Sequence, residues 1–97
     1  MSYDLWLNHD SFNMTSNVGP MFRRCIPKGI QSIHNLTGKQ AQPVLLKLFI
    51  EMHVHKEELE SMNPKNGWGD YESAKAWVLK LWNASRENRR FRWKVWS

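Results

Sequence analysis

Alternating apolar and polar positions open the chain and predict its first strand. Tyr3, Leu5 and Leu7 fall on one side of an extended segment, and the residues between them fall on the other. Strict alternation of this kind is typical of a half-buried strand, so we predict a strand over residues 3–8. The polar residues 9–16 that follow are predicted to form a loop.

A short helix is predicted next. Asn17 or Ser16 can cap its start, and Pro20 is tolerated in its first turn because the missing N–H would be unpaired there. Pro27 ends the helix, because proline cannot continue it. Residues 30–35 fit either a loop or a short extended segment.

The longest helical pattern begins at Thr37, which has the capping-box spacing to Gln40. Apolar residues then recur every three or four positions as far as Met62. Pro43 lies inside this pattern and predicts either a kink or the true first turn of the helix. A break is also expected near His53.

The last helix is predicted to begin at Asp70, after which apolar residues again recur at intervals of three and four. Its acidic first turn and basic last turn both suit the helix macrodipole. Residues 91–96 then alternate apolar and mainly basic positions. This pattern predicts a final strand in which Phe91 and Trp93 point inward.

The order of these elements predicts an α+β fold in one domain, residues 1–97. Three or so helices would pack on a ribbon formed by the N- and C-terminal strands, because a two-stranded ribbon is marginally stable alone. An edge as apolar as residues 91–96 favours pairing with a second copy of the chain. A homodimer is therefore a secondary expectation.

Six tryptophans among 97 residues are the unusual feature of the composition. Each large aromatic side chain buries roughly 150–250 Å², so some of the rings are expected to supply core volume that a small domain otherwise lacks. Not all six can be central. One or two are expected at a pocket or an interface.

The charge balance favours anionic partners. The chain has 14 Lys and Arg against 9 Asp and Glu, a net charge of +5, which suits nucleotides, nucleic acid or an acidic protein face. Its single cysteine, Cys25, excludes an intrachain disulfide framework and fits a reducing compartment. No apolar run approaches the ~20 residues of a membrane span, and the first residues lack signal-peptide character. We therefore expect a cytoplasmic protein with no membrane partner.

Two segments carry a resemblance to a known family. They are TSNVGPM (residues 15–21) and NGWGDYE (residues 66–72), the second preceded by Asn63-Pro64. Together they resemble a family of short, functionally uncharacterised proteins of bacteriophages and bacteria, and the resemblance spans most of the chain. It implies a phage-type accessory protein acting in the host cytoplasm, in which the two segments belong together. The Trp- and Arg-rich tail departs from the family pattern, which leaves open whether this protein has an additional partner.

The same two segments are the leading candidate for a ligand site. Each is a polar loop that leads into a helix N-terminus, where N–H groups suit a phosphate or carboxylate, although Asp70 would repel a phosphate on its own helix end. Trp68 and Tyr71 could stack on a base or sugar, and Asp70 could hold a ribose hydroxyl. In the alternative interpretation the polar residues are caps, the glycines form turns and Trp68 fills the core. The predicted ligand-binding residues are Thr15, Asn17, Met21, Asn66, Trp68, Asp70 and Tyr71.

A second candidate site combines basic and aromatic residues at the C-terminal end. Such a mixture can bind backbone phosphates and stacked bases. In the alternative interpretation the arginines form a solvated outer face of the last strand, and no known RNA-binding or helix-turn-helix signature is present. The predicted partner-binding residues are Arg86, Arg90, Arg92, Lys94 and Trp96.

The sequence predicts no catalytic residue, metal or cofactor. His53 and His55 lie two apart in a predicted helix, so they point to different sides and chelate poorly. Cys25 follows two arginines that can lower a thiol pKa, yet its spacing from Phe22 favours a small core residue. No nucleophile, base and orienting group stand at a useful spacing.

Taken together, these patterns predict a binding protein rather than an enzyme. The leading hypothesis is a small polar ligand, such as a nucleotide or a nucleotide-derived defence signal, held between residues 13–21 and 66–72. Sequestration of a host defence signal follows only by analogy with phage proteins. The alternative hypothesis is an inhibitor or adaptor that binds a host protein or nucleic acid through the basic, Trp-rich C-terminal strand.

Overall fold

The computed structural model describes residues 1–97 and has an α+β fold, as the sequence predicts. Its three strands are β1 (Ser2–Leu7), β2 (Asp10–Thr15) and β3 (Lys94–Trp96). They form one antiparallel sheet in the order β2-β1-β3. The terminal strands pair as predicted, but β1 is the centre of three strands rather than half of a two-stranded ribbon.

The prediction of a loop over residues 9–16 is wrong, because most of this segment is β2. A two-residue turn at Asn8 and His9 joins β1 to β2, and Asn8 takes a left-handed backbone conformation with φ of 56°. Phe12 lies opposite Leu5 on the inner side of the hairpin. The pattern conceals this strand because its outer side is wholly polar and only two of its six residues are large and apolar.

Four α-helices follow the hairpin: α1 (Gly19–Cys25), α2 (Gly38–Val54), α3 (Lys56–Glu60) and α4 (Tyr71–Glu87). The short segments Ser16–Val18 and Gly29–Ile33 are 3₁₀ turns. The break predicted near His53 is confirmed, since His55 separates α2 from α3. Pro43 lies in the second turn of α2, so it does not mark the first turn of that helix.

Side-chain caps fix where the two long helices begin. In α2 the Thr37 hydroxyl accepts from the Gln40 N–H at 3.1 Å, and the Gln40 side chain accepts from the Thr37 N–H at 3.0 Å. This confirms the predicted capping box. At the start of α4, Asp70 and Ser73 form a similar reciprocal pair.

A single core of 22 buried apolar residues joins the inner face of the sheet to the helices. The two long helices α2 and α4 pack on each other through residues such as Leu45, Leu48 and Leu81, which are fully buried. Trp77 stacks on Phe22, with the ring centroids 5.9 Å apart. Aromatic rings thus supply core volume, as the tryptophan content predicts.

The C-terminal strand is shorter than predicted. Residues 91–96 were expected to be extended, but β3 covers only Lys94–Trp96, and Arg92 makes an isolated bridge to Thr37. Trp93 is fully buried as predicted, whereas the prediction for Phe91 is wrong because its side chain is 48% exposed. Phe91 lies in the turn that follows α4, where the strand alternation does not yet apply.

The outer edge of β3 is partly occupied within the chain. The Val95 N–H donates to His34 Nδ1 at 3.0 Å, and the Trp93 carbonyl accepts from the Asn35 N–H at 2.9 Å. Strand pairing with a second copy along this edge therefore has less free backbone than the sequence suggests, and a homodimer stays a prediction.

Candidate functional site

The two segments singled out in the sequence meet in the fold. A β-carbon built on Gly69 would lie 2.6 Å from Thr15 Cγ2 and 3.0 Å from Val18 Cγ1, so the backbone of the second segment rests directly on the first. Gly69 also has φ of +86°, which only glycine adopts without strain. This glycine therefore permits the close approach of the two segments.

Trp68 projects from this contact into solvent. Its backbone N–H donates to Asn66 Oδ1 at 3.0 Å, which fixes the turn. Gly67, with φ of +76°, reverses the chain just before it. The Trp68 side chain is 70% exposed, so the interpretation that its indole fills the core is wrong.

Beside Trp68 lies a hollow of about 410 Å³ that opens between the turn and the end of the sheet. It is lined by Met1, Ser2, Asn13, Thr15, Asn17 and Trp68. Three of the predicted ligand-binding residues, Thr15, Asn17 and Trp68, therefore come together. Met1 and Ser2 were missed, and Asn13 lies within the predicted segment 13–21 but was not among the named residues, because these positions depend on the pairing of β1 with the unpredicted strand β2.

The other predicted residues have structural positions. Met21 is buried in the core, and so is Tyr71, whose hydroxyl donates to the Met52 carbonyl at 2.8 Å. Neither side chain faces the hollow. Asn66 supports the turn through its bond to the Trp68 N–H and does not line the hollow.

Asp70 serves as the N-cap of α4. Its Oδ1 accepts from the Ser73 N–H at 2.7 Å, and hydrogen bonds from the Ser73 backbone and side chain lower the pKa of this carboxyl. The cap is thus already satisfied by the protein. A phosphate at this helix end would have to compete with the Asp70 carboxylate for the Ser73 N–H. It would also be repelled by the negative charge of that carboxylate.

No acidic or basic side chain lines the hollow itself. Asp4 lies across the sheet from Asn13 and accepts from Asn13 Nδ2 at 2.7 Å. The hollow therefore offers hydroxyl and amide groups on one side and an aromatic ring on the other. This lining suits a ligand with polar edges and a flat face.

The basic C-terminal residues divide between two places. The Arg86 guanidinium lies 5.5 Å from the Trp82 ring centroid on α4. Arg92 and Lys94 both bind Asn35, the first through its carbonyl and the second through Oδ1, each at 2.7 Å. Trp96 and Arg90 are exposed. The structure therefore groups Arg92 and Lys94 at the edge of β3 and sets Arg86 on a helix.

The two histidines of the HVH motif have separate partners. His53 Nδ1 lies 3.1 Å from Lys75 Nζ, and His55 Nε2 lies 3.3 Å from a carboxylate oxygen of Glu51. No group of three His, Cys, Asp or Glu side chains comes together in the geometry of a metal site.

A second hollow, of about 190 Å³, lies between α2 and α4 and was not predicted. It is lined by Leu46, Phe49, Leu79 and Trp82. All four side chains are apolar, so this hollow does not suit a polar ligand.

Cys25 at the end of α1 is half-buried, and burial, followed by the negative charge of Glu51, raises its pKa to about 11. The positive charge of Arg24 lowers the pKa of Cys25, but by less than burial and Glu51 raise it. Because the thiolate is the nucleophile, this environment makes Cys25 less reactive than a free thiol at neutral pH.

We expect iodoacetamide to alkylate Cys25 at pH 8 about tenfold more slowly than a free thiol. The raised pKa lowers the thiolate fraction by about 100-fold, and the greater nucleophilicity of a more basic thiolate recovers about tenfold. Mass spectrometry of the folded protein over time gives the rate, and the same protein in 6 M guanidinium is the control. Equal rates in the two states would contradict the assignment.

The comparisons with known proteins give no further guide to the site. No protein-family model, no curated protein and no solved structure matches the chain. None of the helices combines the length and apolar character that crossing a membrane requires.

Proposed function

We propose that this protein binds a small polar ligand, with a nucleotide as the leading example, in the hollow beside Trp68. The observation that carries the proposal is the exposure of the Trp68 indole, 70%, on a turn held in place by Asn66 and Gly69. Exposing so large an apolar ring costs solvation free energy, which a stacked ligand would recover. The Trp68 side chain is not part of the core, and the hydrogen bond that fixes the turn uses only its backbone N–H. The fold itself therefore does not require tryptophan at this position.

The lining of the hollow narrows the kind of ligand. Thr15 presents a hydroxyl and Asn17 an amide that can donate and accept hydrogen bonds, whereas Asn13 offers only Oδ1, because its Nδ2 donates to the Tyr3 carbonyl and to Asp4. Such groups read the edge of a base or the hydroxyls of a sugar, while the indole contacts a flat face. A nucleobase combines both features in one molecule.

The proposed role is binding without turnover. The side chains that line the hollow include no carboxylate, imidazole or thiol, and Cys25 lies in the half-buried end of α1. The resemblance of residues 15–21 and 66–72 to short phage proteins supports an accessory protein that sequesters a nucleotide-derived host defence signal. That biological role rests on the resemblance and on analogy.

We expect Trp68→Ala to weaken ligand binding while leaving the free energy of unfolding within about 0.5 kcal/mol of wild type, because the side chain is exposed. Loss of one stacked base weakens binding by about 5- to 150-fold. Thermal shift against a panel of nucleotides, followed by calorimetry of each hit, measures both quantities. Phe91→Ala, which removes an exposed ring elsewhere on the surface, is the matched control.

Two results would overturn the proposal. The first is a wild-type protein whose melting temperature no nucleotide shifts. The second is a Trp68→Ala protein that binds a hit as tightly as Phe91→Ala does.

A second candidate function is binding of a host protein or nucleic acid through the C-terminal strand. The observation that favours it is the position of Arg92 and Lys94 beside Trp96, which is 71% exposed. Basic and aromatic groups on one edge suit an anionic partner.

A further inference from the structure

The strand register places two of the six tryptophans, Trp6 and Trp96, on one face of the sheet. The side of the sheet that faces away from the helices, here called the outer face, carries Ser2, Asp4, Trp6, Ser11, Asn13, Thr15, Lys94 and Trp96. Trp6 is 46% exposed and Trp96 is 71% exposed. Both side chains are therefore accessible to a ligand.

Trp6 and Trp96 are diagonal neighbours on this face. Trp6 pairs with Lys94 and Trp96 pairs with Asp4, so the two tryptophans stand one diagonal step apart on adjacent strands. Diagonal neighbours in antiparallel strands lie about 7–8 Å apart, which is close to the separation of consecutive bases in an extended single strand. The two indoles therefore have a spacing that suits two successive bases.

The hollow beside Trp68 is continuous with the outer face. Asn13 lines the hollow and also belongs to the cross-strand row that runs through Asp4 to Trp96. Neighbouring strands lie about 4.8 Å apart, so Asn13 and Trp96 are separated by about 10 Å. A ligand that fills the hollow and extends along the sheet reaches Trp96 within one or two nucleotide lengths.

The charges on this surface favour a phosphate backbone along one edge. Lys94 lies directly opposite Trp6. Arg92 lies close to Lys94, because both side chains donate hydrogen bonds to Asn35. Asp4 is the only carboxylate on the outer face, and its bond to Asn13 Nδ2 partly satisfies it. Proteins that bind single-stranded nucleic acid combine cations that contact the phosphate backbone with aromatic rings that stack on the bases. The cations at the edge of β3 and the neighbouring tryptophans of the outer face have this arrangement.

We propose that the ligand of this protein is a single-stranded oligonucleotide that spans the hollow and the outer face. One base stacks on Trp68 in the hollow, a further base stacks on Trp96 or Trp6, and Lys94 and Arg92 contact the phosphates. This inference rests on the proposed function and names its ligand class. Duplex DNA binds more weakly, because pairing hides the base faces that the indoles contact.

The test measures binding of fluorescein-labelled oligothymidylates of two, four and eight nucleotides by fluorescence anisotropy at several salt concentrations. Unlabelled thymidine monophosphate is measured in parallel by thermal shift. We expect affinity to rise from the mononucleotide to the tetranucleotide. We expect the double variant Trp6→Ala/Trp96→Ala to bind the tetranucleotide at least fivefold more weakly, since each stacked base contributes a factor of about 5 to 150.

Charge variants give a second readout that a merely structural role would not move. Lys94→Gln should reduce the slope of log affinity against log salt by about 0.7 for a single-stranded ligand. Lys80→Gln, on the exposed side of α4, is the matched control and should leave the slope unchanged. Phe91→Ala is the control for the tryptophan variants, and urea unfolding confirms that each variant is folded.

The outcomes separate this inference from the proposed function. Mononucleotide binding that needs Trp68, with no gain from added length, would overturn the inference and leave the proposed function standing. Oligonucleotide binding that needs Trp6 and Trp96 but not Trp68 would overturn the proposed function and, with it, the inference that the ligand spans the hollow and the outer face. If no oligonucleotide binds and sedimentation shows a dimer that the double variant dissociates, the outer face contacts a second copy and the inference is wrong.

Discussion

Replacing Trp93 with alanine is expected to destabilise the protein by about 4 kcal/mol, because a fully buried indole leaves a cavity that its surroundings fill only partly. For a domain of this size such a loss lowers the melting temperature by about 20 °C. Trp93 is the largest of the fully buried side chains, and its ring lies 5.6 Å from that of Phe12, centroid to centroid. It therefore connects the last strand to the hairpin.

Part of the expected loss of stability comes from a hydrogen bond. Trp93 Nε1 donates to Ser85 Oγ at 2.9 Å, and Ser85 is the only fully buried polar residue. Removing the indole leaves that hydroxyl unpaired in the core, which costs about 1–3 kcal/mol. Trp93→Phe keeps much of the volume but loses this bond, so it should fall between wild type and Trp93→Ala.

Urea unfolding followed by circular dichroism measures these differences, and Trp96→Ala provides the matched control three residues away. Trp96 is largely exposed, so its removal should change the free energy of unfolding by less than about 0.5 kcal/mol. Equal effects at the two positions would contradict the division of the tryptophans into core and surface.

The helices could be predicted from the sequence because their signals are local. The Thr37 and Gln40 spacing and the acidic cap at Asp70 each lie within one turn of the helix that they begin. Hydrogen bonds between residues three apart form in any context that permits a helix. The same reasoning fails at Phe91, because the start of β3 depends on pairing with β1 and not on the residues themselves.

The candidate site could be predicted only in part. Thr15 and Trp68 were correctly grouped, but the sequence could not decide whether the indole fills the core, because that depends on the contact of Gly69 with Thr15 and Val18. Tyr71 has the same aromatic character as Trp68 and is buried instead. The outer face could not be predicted from the sequence, because β2 carries too few apolar residues to be recognised as a strand.

Gly38 is the second position at which a single substitution should have a large effect. It is the first residue of α2 and lies against the last turn of α4, where a β-carbon would overlap the carbonyl oxygens of Ser85 and Asn88. Both obstacles are backbone atoms, which cannot rotate away as a side chain can. The N–H of Gly38 also donates to the Phe91 carbonyl at 2.8 Å, so any displacement of α2 disturbs the segment that leads into β3.

We therefore expect Gly38→Ala to lower the free energy of unfolding by about 3 kcal/mol, at the upper end of the cost of overpacking a well-packed site. Gly67→Ala is the matched control. It has φ of +76° but no atom within 4 Å of the added carbon, so it should cost only about 1 kcal/mol of backbone strain. Urea midpoints at constant slope give both values. Because Gly38 has ordinary helical backbone and Gly67 does not, a larger loss at Gly67 would mean that conformation, and not the contact between α2 and α4, decides where this chain requires glycine.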